Sequence, residues 1–116
     1  MRAPQISHGE VLQRLREICA ALPGSREIVT HGHPAFSNNK RIFVVLEEYR
    51  GDLSLCVNVG REAQGIFLKD ARFYRTPYIG HRGWVSLKIH AAPLDWEEVD
   101  ELVAGSHQLI SDGTGR

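Results

Sequence analysis

The chain's 116 residues allow one domain with one hydrophobic core, and its 42% hydrophobic and 24% charged residues are ordinary for a globular protein. A formal net charge of zero excludes the general attraction to polyanions that a basic composition provides. No apolar run reaches the roughly 18 residues that a membrane span requires, and the first residues lack the apolar core of a signal peptide. We therefore expect a cytoplasmic protein without a membrane partner.

A helix is the first predicted element. Ser7 and Glu10 have the spacing of a capping box, and apolar residues then recur at helical intervals from Val11 to Leu22. Pro23-Gly24 ends the helix, because neither residue favours a helix interior. The helix is expected to begin near Ser7 and to bury one apolar side.

Strands are expected next, because the hydrophobic pattern changes to a period of two. The predictions in chain order are extended pieces at 28–29 and 35–36 around the His31-Gly32-His33-Pro34 turn, a turn at 37–40, a central strand at 41–46, a turn at 49–52 and a strand at 53–59. In the last strand, apolar residues alternate with Ser54, Cys56 and Asn58, which predicts one buried face.

A short helix at 61–70 and a further strand at 84–90 are predicted in the second half of the chain. Val85, Leu87 and Ile89 form the apolar face of this strand. Its other face is made of Trp84, Ser86, Lys88 and His90, which we expect on an open side of the sheet or beneath the 61–70 helix.

The last helix is expected to begin at Asp95 or Trp96. Asp95 caps it, and Glu98 stands where the partner of a capping box belongs. The acidic residues near its start form a solvated face that complements the helix dipole. Residues 111–116 are expected to form a flexible tail, which leaves a core of about residues 7–110.

These elements predict a single α+β domain over residues 1–116. Its terminal helices pack on one face of a mostly antiparallel sheet, so the domain is a two-layer sandwich. The other face of the sheet is then partly open.

Catalytic and metal sites are not indicated by the sequence. His31 and His33 have the spacing that places two side chains on one face of a strand, but no further ligands stand at metal-binding intervals. Cys19 and Cys56 fall at core positions, and no serine stands on a glycine-flanked turn, which leaves no candidate nucleophile. We expect a non-enzymatic protein without a metal or other cofactor, with a monomer as the default state.

Residues 72–84, called the basic-aromatic segment below, are the candidate functional surface. They hold four of the nine aromatic residues, three arginines and no acidic residue. The predicted contact residues for DNA or another anionic ligand are Arg72, Tyr74, Arg75, Tyr78, Arg82 and Trp84. Arginines contact phosphates or carboxylates, and aromatic rings stack on bases. Three or four phosphate contacts give a salt slope of only about −3 to −4, which predicts weak binding.

Two other interpretations of the basic-aromatic segment stay open. In the first, it forms a pocket for a small anionic ligand or a protein partner, and an arginine anchors a carboxylate or phosphate. A deep pocket beside Arg75 and Tyr78 favours this interpretation. In the second, the segment is structural: Phe73 and Trp84 pack on the core, Gly83 allows a close backbone approach, and the arginine stems cover apolar surface.

Six stretches of the chain together match a known pattern. They are Leu22-Pro23-Gly24, Gly32-His33-Pro34-Ala35-Phe36, Lys40-Arg41-Ile42-Phe43, Phe73-Tyr74-Arg75-Thr76-Pro77-Tyr78-Ile79-Gly80, Gly83-Trp84-Val85 and Asp95-Trp96. In these stretches the chain resembles the MmcQ/YjbR family of small bacterial proteins. It departs from the family's pattern at His31, where relatives often carry an aromatic residue, and at Ser37-Asn38-Asn39, where they carry a glycine-bearing hairpin.

The resemblance implies a fold like that of CyaY and frataxin, which agrees with the α+β sandwich predicted above. The family is commonly labelled as predicted DNA-binding through a shape analogy with winged modules, which makes DNA the nominal partner, but the resemblance does not imply an established activity. It does not imply frataxin-like iron chemistry, because the first helix holds only Glu10 and Glu17 among its exposed positions.

Overall fold

The computed structural model describes residues 5–39 and 41–113 and shows three helices and one six-stranded sheet. The helices are α1 (His8–Ala20), α2 (Arg61–Leu68) and α3 (Trp96–Ser111), and the strands are β1 (Ser25–Thr30), β2 (His33–Asn38), β3 (Arg41–Tyr49), β4 (Asp52–Asn58), β5 (Phe73–Arg75) and β6 (Trp84–Lys88). The strand order is β1-β2-β3-β4-β6-β5, and every neighbouring pair is antiparallel. The predicted α+β fold is confirmed.

Both terminal helices begin at the predicted caps. Ser7 and Glu10 form the complete capping box of α1, with the Glu10 amide donating to the Ser7 hydroxyl at 3.1 Å. At α3, the Asp95 carboxylate accepts from the backbone amides of Glu97 and Glu98. Glu98 is not a capping-box partner, because its carboxylate binds Arg72.

The core lies between one face of the sheet and the helices. Its fully buried large side chains come from both layers: Val11 and Leu15 of α1; Phe43, Val44 and Leu46 of β3; Leu55 and Val57 of β4; Val85, Leu87 and Ile89 in and after β6; and Val99 and Val103 of α3. We call the opposite face of the sheet the open face. Among the described residues, no helix is long and apolar enough to cross a membrane.

Two tight turns connect β1 to β2 and β3 to β4. His31 and Gly32 both have positive φ, as do Arg50 and Gly51, which is the backbone of a type I′ hairpin turn. His33 therefore begins β2 and does not belong to the turn, contrary to the sequence-based prediction. The turn predicted at 37–40 is also shorter, because residues 37–38 continue β2; Lys40 lies outside the described residues.

The last elements differ in detail from the prediction. Strand β5 is new, and its three residues pair with β6. Strand β6 ends at Lys88, before His90, and α2 ends at Leu68. Ser111, predicted in the flexible tail, is the last residue of α3 and donates its hydroxyl proton to the His107 carbonyl at 2.7 Å. The tail prediction for residues 114–116 lies outside the described residues.

A buried side chain joins β4 to the end of the basic-aromatic segment. The Asn58 amide group is fully buried, donates to the Arg82 carbonyl at 3.1 Å and accepts from the Gly60 amide at 2.8 Å. The backbone of Gly83 packs directly on the backbone of Gly60. We call this arrangement of Asn58, Gly60 and Gly83 the Asn58 junction.

Replacing Gly83 with Ala is expected to destabilise the fold by about 3 kcal/mol. Gly83 has φ +97°, and a Cβ there would lie 2.7 Å from the Gly60 carbonyl carbon and 2.8 Å from the Arg61 nitrogen. The matched control is Gly65→Ala in α2, where a Cβ meets nothing within 4 Å. This control should gain up to about 1 kcal/mol. Urea unfolding of both variants measures the difference, and equal midpoints would contradict the close approach.

Candidate functional site

A cleft of about 610 Å³ extends over the open face and reaches Ile110 of α3, a volume typical of small-molecule sites. The hairpin of β1 and β2, strand β3 and the loop at residues 76–82 all contribute to its walls. Its charged and large aromatic side chains are Arg41, Glu47, Tyr49, Tyr78, Arg82 and Trp84. Three of the six predicted contact residues, Tyr78, Arg82 and Trp84, are thus brought together at this cleft.

Tyr78 stands at a strained and exposed point of the cleft wall. Its side chain is 95% exposed, and its φ is +68°. The Ile79 amide donates to the Pro77 carbonyl at 2.8 Å, which makes a γ-turn around Tyr78. A γ-turn with positive φ is the rare and strained form. The backbone thus holds a tyrosine in a conformation that glycine adopts more readily.

The three arginines of the basic-aromatic segment have different environments. Arg72 binds two carboxylates, with Nη1 2.7 Å from Glu98 Oε1 and Nη2 2.8 Å from Asp70 Oδ2. These contacts raise the pKa of Arg72, through Glu98 first and Asp70 second, and lower that of Asp70. In the described residues, no ion pair involves Arg75 or Arg82, and both are exposed. Arg72 is therefore a structural ion-pair residue, and Arg82 is the arginine of the segment that lines the cleft.

Arg75 and Tyr74 are held away from the cleft lining. The stem of Arg75 lies over Gly80, where a Cβ would collide with it. The Tyr74 hydroxyl donates to Ser54 Oγ at 2.9 Å, so this half-buried ring is tied to the sheet. Neither residue is placed to take part in binding inside the cleft.

A second arginine reaches the cleft from β3. Arg41 is half-buried, and its Nη1 is buried without a hydrogen-bond partner among the described residues. Leaving a buried charged donor unpaired is costly.

Neutral polar groups line the sheet next to the cleft. Thr76 Oγ1 lies 2.8 Å from Ser86 Oγ, which in turn lies 3.3 Å from Cys56 Sγ. The pKa of the Cys56 thiol is raised to about 12, mainly because the thiol is buried. Cys19 is also a buried free cysteine, and burial raises the pKa of its thiol to about 12. Both thiols are protonated near neutral pH, as a core position requires.

The far end of β3 places a carboxylate and two rings at the cleft. Glu47 raises the pKa of the Tyr49 phenol, so the carboxylate lies near this ring. Tyr49 is 61% exposed and contacts the His33 imidazole edge to face, with ring centroids 5.1 Å apart. Tyr78 adds a smaller contribution to the same pKa.

Sequence reasoning missed the β3 contribution to this site. The alternation of Val45, Glu47 and Tyr49 was available as a signal, because alternate residues of a strand share a face. The two histidines considered for a metal, His31 and His33, both line the cleft. Within residues 5–39 and 41–113, no three His, Cys, Asp or Glu side chains converge as a metal site would require.

The two variants Tyr78→Gly and Tyr78→Ala are expected to differ in stability by about 1 kcal/mol. Both lose the ring, but only glycine relieves the positive φ, so the Gly variant should melt about 4 °C higher. Thermal unfolding followed by circular dichroism measures this difference. The matched control is the pair Ile66→Gly and Ile66→Ala at an exposed position of α2. There the Ala variant should have the higher melting temperature, because alanine is the better helix former. Equal melting temperatures for the Tyr78 pair would show that residue 78 is unstrained.

Comparison with known proteins places the chain in a family. The crystal structure of Deinococcus radiodurans protein DR2400, with a DUF419 domain, is similar in fold, with a TM-score of 0.72 and 19% sequence identity over 96% of this chain and 83% of that chain. None of the curated proteins is significantly similar to the chain. The YjbR family model matches residues 20–109, well over half of the sequence. The protein therefore belongs to the YjbR family.

Proposed function

We propose that this protein binds a small ligand that carries a planar ring and an anionic group, and that the open-face cleft is the binding site. The observation that carries the proposal is the guanidinium side chain of Arg41 in the lining of a cleft that also holds Tyr49, Tyr78 and Trp84. A guanidinium in this position forms charge-assisted hydrogen bonds with a carboxylate or a phosphate. Arg82 lines the same cleft and adds a second cation.

The aromatic side chains support the planar part of the ligand. Tyr49 and Tyr78 both line the cleft with well-exposed rings. Trp84 is only 5% exposed and contributes an apolar surface to the lining. Stacking of a ring on such side chains contributes about 1–3 kcal/mol per ring.

The charge of the cleft favours a small anion over a polyanion. Its lining holds two arginines and one glutamate, and therefore one net positive charge. Arg72, which the sequence suggested as a phosphate contact, is neutralised by Asp70 and Glu98. A pocket with few charges and three rings is suited to one ligand molecule.

We expect naphthyl phosphate to bind the cleft saturably, and at least about tenfold more tightly than naphthol or inorganic phosphate alone, because a charged hydrogen bond adds to stacking. Tryptophan fluorescence measures binding, since Trp84 lines the cleft. Arg82→Gln should weaken the affinity about tenfold, and Arg41→Gln should do the same.

The matched control is Arg26→Gln, which removes an exposed arginine that does not line the cleft. Its affinity should equal that of the unaltered protein. Equal affinity for naphthyl phosphate and naphthol, or an equal loss in the Arg26 variant, would contradict the proposal.

The exposed side of the 76–82 loop favours single-stranded nucleic acid as a second candidate ligand. Arg75, His81 and Arg82 are exposed there beside Tyr78. With only two unpaired arginines, the expected salt slope is about −1.4, which is lower than the sequence suggested. This surface does not favour tight binding of duplex DNA.

The second function predicts weak binding of a single-stranded oligonucleotide, with a dissociation constant of about 100 μM at low salt. Fluorescence anisotropy at two salt concentrations measures it. The double variant Arg75→Ala, Arg82→Ala should abolish binding, because phosphate contacts supply most of the affinity. Unchanged binding in this double variant, or none in the unaltered protein, excludes the second function and leaves the first intact.

A further inference from the structure

The structure also indicates which ring the cleft takes, if the proposed function holds. We infer that the ligand is a nucleoside phosphate whose base offers two adjacent N–H donors, which among the common bases is guanine, and that Glu47 accepts both. The phosphate then lies toward Arg41 and Arg82.

The first argument is the separation of opposite charges along one strand. Arg41 and Glu47 both line the cleft and stand six residues apart on β3, so their Cα atoms are roughly 20 Å apart. A ligand with an anionic group at one end and hydrogen-bond donors at the other matches this polarity.

The second argument concerns the surroundings of the Glu47 carboxylate. Among the described residues, no ion pair involves Glu47. Its carboxylate raises the pKa of the Tyr49 phenol, and it adds to the effect of burial on the Cys56 thiol. Both of these neighbours are neutral. A half-buried carboxylate among neutral groups is a strong acceptor for N–H donors.

The third argument is the hydrogen-bonding state of His33. Its Nδ1 accepts from the Glu48 backbone amide at 3.4 Å, so in the neutral ring the proton is on Nε2. His33 lines the cleft beside Tyr49 and supplies an N–H donor there. The Glu47 end of the cleft thus combines a double acceptor with a single donor.

Guanine is the common base that matches this set of groups. Its N1–H and its amino group are adjacent donors for one carboxylate, and its O6 accepts from an N–H such as that of His33. Adenine and cytosine each present an amino group next to a ring nitrogen acceptor, which repels the second carboxylate oxygen. Uracil presents one N–H between two carbonyl oxygens. Tyr49 and Tyr78 supply the stacking faces, as in other sites that read the edge of a single base.

The test is isothermal titration calorimetry of the full chain with GMP, IMP, AMP and UMP. We expect GMP to bind at least about tenfold more tightly than AMP or UMP, with IMP between them because it lacks the amino group. Glu47→Gln should lower the affinity for GMP about tenfold and should not lower that for AMP, because the glutamine amide can donate to the adenine ring nitrogen. The matched control is Glu48→Gln, which alters an exposed neighbour outside the cleft lining and should retain the preference for GMP.

The outcomes separate this inference from the proposed function. If naphthyl phosphate binds and depends on Arg82 while the four nucleotides bind equally, the cleft is an anion site and the guanine inference is overturned. A preference for GMP that survives Glu47→Gln also overturns it. If neither naphthyl phosphate nor any nucleotide binds, the proposed function fails and the inference fails with it.

Discussion

The position of the candidate site depends on the Asn58 junction. The Asn58 side chain holds the Arg82 carbonyl and the Gly60 amide from a fully buried position, and Gly83 packs on Gly60 at backbone contact distance. The Ser106 hydroxyl links α3 to the sheet at the same place. It accepts from the backbone N–H of Asn58 at 2.9 Å and donates to the Phe43 carbonyl at 2.6 Å. These contacts fix the end of the 76–82 loop against the sheet. The loop can therefore carry an exposed side chain without being mobile at its base.

The basic-aromatic segment divides its charges between structure and surface. At its start, Arg72 joins β5 to α3 through Glu98, which the capping pattern had assigned to the helix terminus. At its end, the backbone of Arg82 is held by the Asn58 junction while its side chain is exposed at the cleft. The Arg72–Glu98 ion pair thus holds the start of the segment, and the hydrogen bond from Asn58 to the Arg82 carbonyl holds its end. The segment is thus a structural corner at Arg72 and an exposed part of the cleft wall at Tyr78 and Arg82.

Local patterns in the sequence predicted the elements well, because caps and alternation depend on neighbouring residues. Ser7, Glu10 and Asp95 start helices where the sequence placed them. The pattern could not show that Glu98 would bind Arg72, since the two are 26 residues apart and meet only after β5 pairs with β6. Strand β5 itself is too short for a period-two signal.

The cleft was only partly predictable, because its charged residues come from distant parts of the chain. Tyr78, Arg82 and Trp84 were identified by composition, whereas Arg41 and Glu47 are ordinary strand residues until the fold brings both to the lining of one cleft. Tyr78 shows most clearly that stability alone does not explain this surface. A strained φ and a nearly complete exposure of an aromatic ring are two separate costs at one residue, and no contact within the described chain offsets them. The neighbouring Gly80 and Gly83 show that this loop contains glycine where packing demands it. Tyr78 is the non-glycine residue with positive φ in this loop, and stacking of the proposed ligand on its ring would offset the cost of that conformation.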